Sequence, residues 1–232
     1  EPGETISDLY SFLGSNLPNN QFPGLNGFDA QQAFLGFQGF LLDAVDENNE
    51  NSAYLSNVPG GGNYFQTNEV YSTGYNGKLS FNLSTSYKDK FYFGLNLNSH
   101  FTDYTKSSSF TERNNAALSS NYTVSRLRFN NDLNTYGTGF SFQLGAIAKL
   151  TKEIRVGLAY ESSTWYNLTD ELSQSLTVVS ANTSGELPAD IIAPQVINVY
   201  EPYKLQTPSR VTGSFAYVFG KKGLISIDYA LK

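Results

Sequence analysis

The chain has no cysteine and no methionine, and its 232 residues include one histidine. The lack of cysteine excludes a disulfide framework and a thiolate metal site. His100 alone cannot build a multi-histidine site, so no metal is expected. No nucleophile or oxyanion motif surrounds His100 either, so the chain reads as no enzyme, and no cofactor is expected. There is no apolar run of 18 residues, which leaves no transmembrane helix. Basic residues are outnumbered 15 to 21, for a net charge of −6. With no basic stripe, that balance argues against a nucleic-acid partner.

What is present is period-two alternation. Phe140, Phe142, Leu144, Ala146 and Ala148 alternate with Ser141, Gln143, Gly145 and Ile147. Past the turn at Thr151-Lys152-Glu153, Ile154, Val156, Leu158 and Tyr160 alternate with Arg155, Gly157, Ala159 and Glu161. Two alternating arms joined by a short polar turn predict a β-hairpin. The unit occurs twice more, around Lys88-Asp89-Lys90 and Gly220-Lys221-Lys222-Gly223. All three tight turns contain lysine. The connecting segments, about 104–134 and 167–205, are long and polar. Within them Tyr122–Phe129 alternates and is expected to extend a strand. Leu168–Val179 alternates in part and is expected to continue the fourth strand, and Gly185–Pro202 reads as loop.

Tight turns at one end and long loops at the other is the asymmetry of an outer-membrane β-barrel. Each strand offers about the 9–11 positions that a tilted crossing needs. Aromatics make up 15% of the chain and fall where interfacial girdles belong: Phe91, Tyr87 and Tyr92 at the turn end, Phe101, Tyr104, Trp165 and Tyr166 at the other. A mean hydropathy of −0.33 is compatible, because barrel strands are only half apolar. A soluble β-sandwich also alternates, but it does not account for the loop asymmetry. The fold class expected is therefore all-β, an antiparallel transmembrane β-barrel. Six strands do not close a small barrel, which takes about eight, so these six are expected to be part of a larger one.

Residues 1–69 differ from residues 70–232 and read as a helical and loop insertion on the extracellular side. A short helix is expected over Ile6–Leu13, and Pro18–Asn26 reads as loop. Asp29 is expected to cap a stronger helix from Ala30 to Asp46, with Phe34, Phe37, Leu41 and Ala44 on one face and Phe40 widening it. Gly74 and Gly77 suggest bends near the start of the first long strand. Pro208, lacking a ladder donor, belongs at a strand start or rim.

The stretch Tyr203-Lys-Leu-Gln-Thr-Pro-Ser-Arg-Val-Thr-Gly-Ser-Phe-Ala-Tyr-Val-Phe-Gly-Lys-Lys-Gly-Leu-Ile-Ser-Ile-Asp-Tyr229 resembles the late-barrel signature of FadL/TodX-type outer-membrane transport proteins, in the form found in Bacteroidetes-like bacteria. Ile154-Arg-Val-Gly-Leu-Ala-Tyr-Glu-Ser-Ser-Thr-Trp-Tyr-Asn-Leu-Thr-Asp170 resembles the preceding hairpin. Lys90-Phe-Tyr-Phe-Gly-Leu-Asn-Leu97 and Glu4-Thr-Ile-Ser-Asp-Leu-Tyr10 also resemble that family, less specifically.

The resemblance implies a 14-stranded barrel in the bacterial outer membrane, plugged by an N-terminal hatch. It implies passive uptake of hydrophobic small molecules such as long-chain fatty acids or aromatic hydrocarbons. The family's Asn-Pro-Ala hatch motif has no counterpart here, since the chain contains no Asn-Pro. On this reading Phe34, Phe37, Phe40 and Leu41 form an outer surface that catches ligand. His100, Arg155 and Glu161 are polar groups of the lumen, placed to read a ligand carboxylate. The partners expected are the hydrophobic ligand and outer-membrane lipid. Some FadL-like barrels serve instead as adapters in secretion machinery, in which case the segments 104–134 and 167–205 would bind protein.

Overall fold

The computed structural model describes residues 28–46, 54–61 and 63–232. The segments Ile6–Leu13 and Pro18–Asn26 lie outside them. The described chain is all-β and antiparallel, with one helix, α1 (Phe28–Gln38). Two short strands follow, β1 (Leu42–Ala44) and β2 (Tyr54–Ser56), paired with each other. Then come the long strands β3 (Tyr64–Tyr87), β4 (Phe91–Asn114) and β5 (Thr123–Lys149). Next are β6 (Ile154–Glu161) and β7 (Trp165–Asn182), then the short strands β8 (Gly185–Glu186), β9 (Asp190–Ile192) and β10 (Asn198–Val199). The last three are β11 (Tyr203–Gln206), β12 (Arg210–Val218) and β13 (Leu224–Leu231). Each long strand pairs with its sequence neighbours, β3 with β4 and β4 with β5, after which β6 and β7 together flank β5. β6 then pairs with β12 and β12 with β13.

The helix is shorter than its apolar pattern predicts: it stops at Gln38 instead of Asp46. Phe40 adopts a φ of 54°, which ends the helix. The Leu41 N–H donates to the Gly36 carbonyl at 2.9 Å and the Phe40 N–H to the Phe37 carbonyl at 3.1 Å. These are the two bonds of a Schellman cap, with phenylalanine in the left-handed position that usually holds glycine. The glycine stands one residue earlier for a packing reason. A Cβ on Gly39 would come within 2.9 Å of the Leu176 side chain and 3.1 Å of Val178. A non-glycine residue in this conformation costs about 1–2 kcal/mol. Phe40→Gly is therefore expected to stabilise the cap by about 1 kcal/mol, less what glycine loses in the unfolded chain. Greater hydrogen-exchange protection of the α1 amides would report it, and lower protection would mean that the Phe40 ring contributes more than its backbone costs.

The strand extensions expected at Tyr122–Phe129 and Leu168–Val179 form, and the strands run further still. Residues 104–134 are strand up to Asn114 and again from Thr123. Residues 167–205 are strand to Asn182, then a run of short strands, of which β8, β9 and β11 pair back onto β7. Polar side chains stitch these extensions in addition to their apolar packing. Ser108 Oγ reaches the Asn131 carbonyl at 3.3 Å, and Asn130 Nδ2 reaches Ser175 Oγ at 3.2 Å.

The chain divides into two compact units. The first comprises the described residues up to 72 with 106–133 and 172–198, and it has an ordinary apolar core. Leu35, Leu41 and Leu42 pack with Val124, Leu127, Leu176 and Val178, and Phe34, Phe37 and Phe110 close around them. A polar chain runs beside that core: Gln32 Nε2 donates to Gln174 Oε1 at 2.6 Å, and Gln174 Nε2 to Asn131 Oδ1 at 2.7 Å.

The second unit comprises residues 73–105, 134–171 and 199–232. Its polarity is inverted. Its buried residues are Asn98, Ser141, Ser162, Ser163 and Leu168, four of the five polar. Its apolar face is open, with Leu83 65% exposed, Leu158 59% and Phe81, Phe93, Phe140, Leu144 and Phe215 likewise exposed.

Gly74 and Gly77 lie in this unit, both for space. A Cβ on Gly74 would come within 2.4 Å of the Asp103 carbonyl oxygen, and one on Gly77 within 2.0 Å of the Phe101 ring. Two strands of this unit break at one level. Ser162–Thr164 separates β6 from β7, and Thr207–Ser209, with Pro208 inside it, separates β11 from β12. Side chains satisfy the freed backbone. The Phe142 N–H donates to Ser162 Oγ at 2.9 Å and the Thr164 N–H to Thr207 Oγ1 at 2.9 Å.

Candidate functional site on the polar face

Strand register in the second unit lines the polar-face residues up in rows. Starting from the tight turns, Lys149 stands opposite Arg155, Arg155 opposite Ala216, and Ala216 opposite Ser226. The next row is Ile147, Gly157, Ser214 and Asp228. Gly145, Ala159, Thr212 and Ala230 follow, and then Gln143, Glu161 and Arg210. Charge thus sits at both ends of a band of mostly small residues, with Asp228 inside the band on β13. Two hollows open over that band, about 540 Å³ and 320 Å³, and both are lined by Gly94, Gly145 and Ala159.

Neither backbone nor packing requires the glycines. Gly94 and Gly145 have no positive φ, and a Cβ on either would meet nothing within 4 Å. Glycine weakens a strand interior by roughly 0.5–1 kcal/mol relative to alanine. What it provides here is clearance above the sheet.

Beyond the last row lies a hydrogen-bonded network. Ser80 Oγ donates to Asn98 Oδ1 at 2.7 Å, and Asn98 Nδ2 to Ser141 Oγ at 3.3 Å. His100 Nε2 lies 2.8 Å from Ser141 Oγ, and the Tyr166 hydroxyl 3.5 Å from its Nδ1. The Tyr166 ring meets the imidazole edge-on, with centroids 5.6 Å apart. Asn96 Nδ2 donates to Gln143 Oε1 at 2.9 Å. The Ser141–His100 pair has the separation of a catalytic dyad, but Ser141 is only 4% exposed and already accepts from Asn98. No carboxylate among the described residues bonds the imidazole. The arrangement orients side chains and does not free a nucleophile.

The three polar residues expected from the sequence fall on this one face but do not converge. Arg155 and Glu161 are six residues apart on β6, about 20 Å along the strand. Glu161 is bound to Arg210 at 2.8 Å, an ion pair exposed enough to contribute little to stability. Arg155 lines the larger hollow beside Tyr92. Sequence reading missed Arg210, Asn98, Ser141 and the Lys149–Tyr92 contact, in which the ammonium is 2.5 Å from the hydroxyl and 4.6 Å from the ring centroid. Tyr92 and Tyr166 were expected in aromatic girdles; strand parity puts both on the polar face instead. The apolar face keeps its own clusters, Phe142 with Tyr160 and Trp165 toward one end and Tyr217 with Phe219 at the other.

The four residues expected to form a catching surface lie in the first unit. Leu41 is fully buried, and Phe34 and Phe37 pack against the same core, which leaves Phe40, 56% exposed. Their burial follows from the cap, which turns the chain at Phe40 and sends Leu41 inward.

Near the far end of the second unit, carboxylates gather hydroxyls. Asp170 Oδ1 accepts from Thr135 at 2.6 Å and from Tyr203 at 3.4 Å, and Glu171 Oε1 accepts from Tyr136 at 2.9 Å. Burial and then the Asp170 charge hold the Tyr203 hydroxyl above the usual tyrosine range, and the hydrogen bond to Glu171 does most of the same for Tyr136. A raised folded-state pKa means that this stabilisation is complete below the unfolded tyrosine pKa of about 10 and is lost as pH rises through the folded values. Resistance to unfolding is expected to fall on that alkaline limb, and Tyr203→Phe with Tyr136→Phe to flatten it. An unchanged limb in the double variant would assign it to other groups.

No protein-family model matches the chain, and no curated protein matches it.

Proposed function

We propose that the chain is the central part of an outer-membrane β-barrel of the FadL/TodX transport type, which passes hydrophobic small molecules across the bacterial outer membrane. One observation carries the reading: the inverted polarity of the second unit, with Asn98 and Ser141 buried on one face of the sheet and large apolar residues exposed on the other. Water would penalise such an apolar face, and a continuous patch of this size marks a surface made for another apolar phase. Lys149 to Phe140 covers about 30 Å along β5, or about 23 Å when tilted as barrel strands are, close to the apolar band of these barrels. The aromatic clusters lie near the ends of that span.

Transport follows from the other face. The small-residue band with its hollows gives clearance above the sheet, with Arg155 in the larger hollow and Glu161 and Arg210 in the smaller, and on this reading Arg155 meets a ligand carboxylate. The catching role narrows to Phe40, so the variant that tests it is Phe40→Asp alone. Phe37→Asp would place a charge against the core and unfold the unit.

The experiment is binding of labelled long-chain fatty acid to the full-length, delipidated protein in detergent. Saturable binding at micromolar or lower concentration is expected. A stoichiometric protein partner on purification, with no ligand binding, would move the assignment to the adapter role, served by the β7–β10 region and not by loops.

A further inference from the structure

The basic residues of this acidic chain are not scattered. Seven of its 15 lysines and arginines fall within residues 86–92, 149–155 and 219–224, against two acidic residues there, although the whole chain carries −6. Strand order puts these three turns side by side along one edge. Backbone bonds join them: the Lys149 N–H donates to the Lys90 carbonyl and the Val218 N–H to the Glu153 carbonyl, each at 2.8 Å. Lys88, Lys90, Lys152, Lys221 and Lys222 are all exposed, and none is in an ion pair among the described residues. Aromatics border them on the apolar face. Tyr87 is exposed with the Lys88 ammonium 5.1 Å from its ring centroid, and Tyr217 and Phe219 stack edge-on at 4.8 Å.

The backbone adds a second, independent sign. Lys88 and Asp89 both have φ of 52°, and the Lys90 N–H donates to the Tyr87 carbonyl at 3.1 Å. That is a type I′ turn, whose central positions ordinarily hold asparagine and glycine. Lysine thus occupies a position that the turn's own geometry disfavours.

From this we infer that the tight-turn edge is a lysine collar that binds the headgroups of anionic phospholipid in the adjoining leaflet. The inference rests on the barrel reading above and names its lipid partner. Free lysines at the foot of an exposed apolar face, interleaved with tyrosine and phenylalanine, place cations at phosphate depth while the rings occupy the interface. An acidic protein partner would match the charge but would leave the bordering aromatics and apolar face unexplained.

The test uses the full-length protein in phosphatidylcholine nanodiscs doped with a spin-labelled phosphatidylglycerol or a spin-labelled phosphatidylcholine. Insertion is scored separately by heat-modifiable migration in SDS. The protein is expected to enrich phosphatidylglycerol in its lipid shell by about fivefold or more, the effect of one or two lysines at the surface. The enrichment is expected to vanish at ~1 M salt, where the Debye length is ~3 Å. Replacing Lys88, Lys90, Lys152, Lys221 and Lys222 by glutamine should abolish it, and replacing them by arginine should keep it. Lys88→Asn alone suits the turn, so it folds and still reduces the enrichment. A heat-modifiable protein with no phosphatidylglycerol preference, or with a preference the glutamine variant retains, overturns the collar and leaves the barrel standing. A protein that enters no bilayer overturns both.

Discussion

Leu158→Arg is expected to lower the stability of the bilayer-inserted protein by about 2–4 kcal/mol, the cost of a cation on the lipid face near the bilayer midplane. Leu158 lies near the middle of the exposed apolar face, 59% exposed, opposite Ala146 on one side and Gly213 on the other. Nothing among the described residues packs over it, so in water the substitution would cost almost nothing. The penalty exists only if lipid covers the face. Ala159→Arg, one residue along on the polar face, is expected to cost less than about 1 kcal/mol, because a lumen substitution meets water. Denaturant titration in lipid vesicles separates the two. Equal costs at 158 and 159 would mean that the faces are not in different media.

Gly94→Leu combined with Gly145→Leu is expected to move stability and transport in opposite directions. Each site has room, since no atom lies within 4 Å of the added Cβ. Each also loses the backbone penalty of glycine in a strand, about 0.5–1 kcal/mol per site. The folded protein should therefore be as stable as the parent or more so. Both hollows are lined by these two residues, and the leucines fill them. Uptake of a labelled hydrophobic ligand by cells should fall severely while the protein remains abundant and heat-modifiable. Undiminished uptake would place the ligand path elsewhere, and a destabilised protein would show that the glycines serve the fold.

Much of the second unit was legible because alternation is a two-residue code. Phe140 through Lys149 and Ile154 through Glu161 assign themselves to faces without any long-range information. What alternation does not carry is register between strands. Glu161 and Arg210 are 49 positions apart, and only the pairing of β6 with β12 brings them opposite. The same holds for Ser141 with His100. The helix end was illegible for a different reason. Gly39 looked like an interior glycine of a long helix, and a left-handed phenylalanine at 40 is a choice that packing against Leu176 and Val178 imposes. Serine, threonine and asparagine dominate 104–134 and 167–182, so alternation showed only at Tyr122–Phe129 and in part at Leu168–Val179. The strands run further because Val124, Leu127, Leu176 and Val178 pack into one core with Leu35 of α1, which no local pattern announces, and side-chain bonds such as Asn130 to Ser175 tie the strands together.

The central claim is that lipid covers one face of the second unit's sheet and water the other. The chain has no cysteine, so single spin labels can be attached by cysteine substitution at each position from 154 to 161 in vesicles containing the full-length protein. Their collision rates with oxygen, which concentrates in lipid, and with a water-soluble nickel chelate then report the medium at each residue. The expected result is a period-two pattern: oxygen access high at 156, 158 and 160, nickel access high at 155, 157 and 159. Nickel access at all of these positions, or no alternation, would contradict the membrane reading.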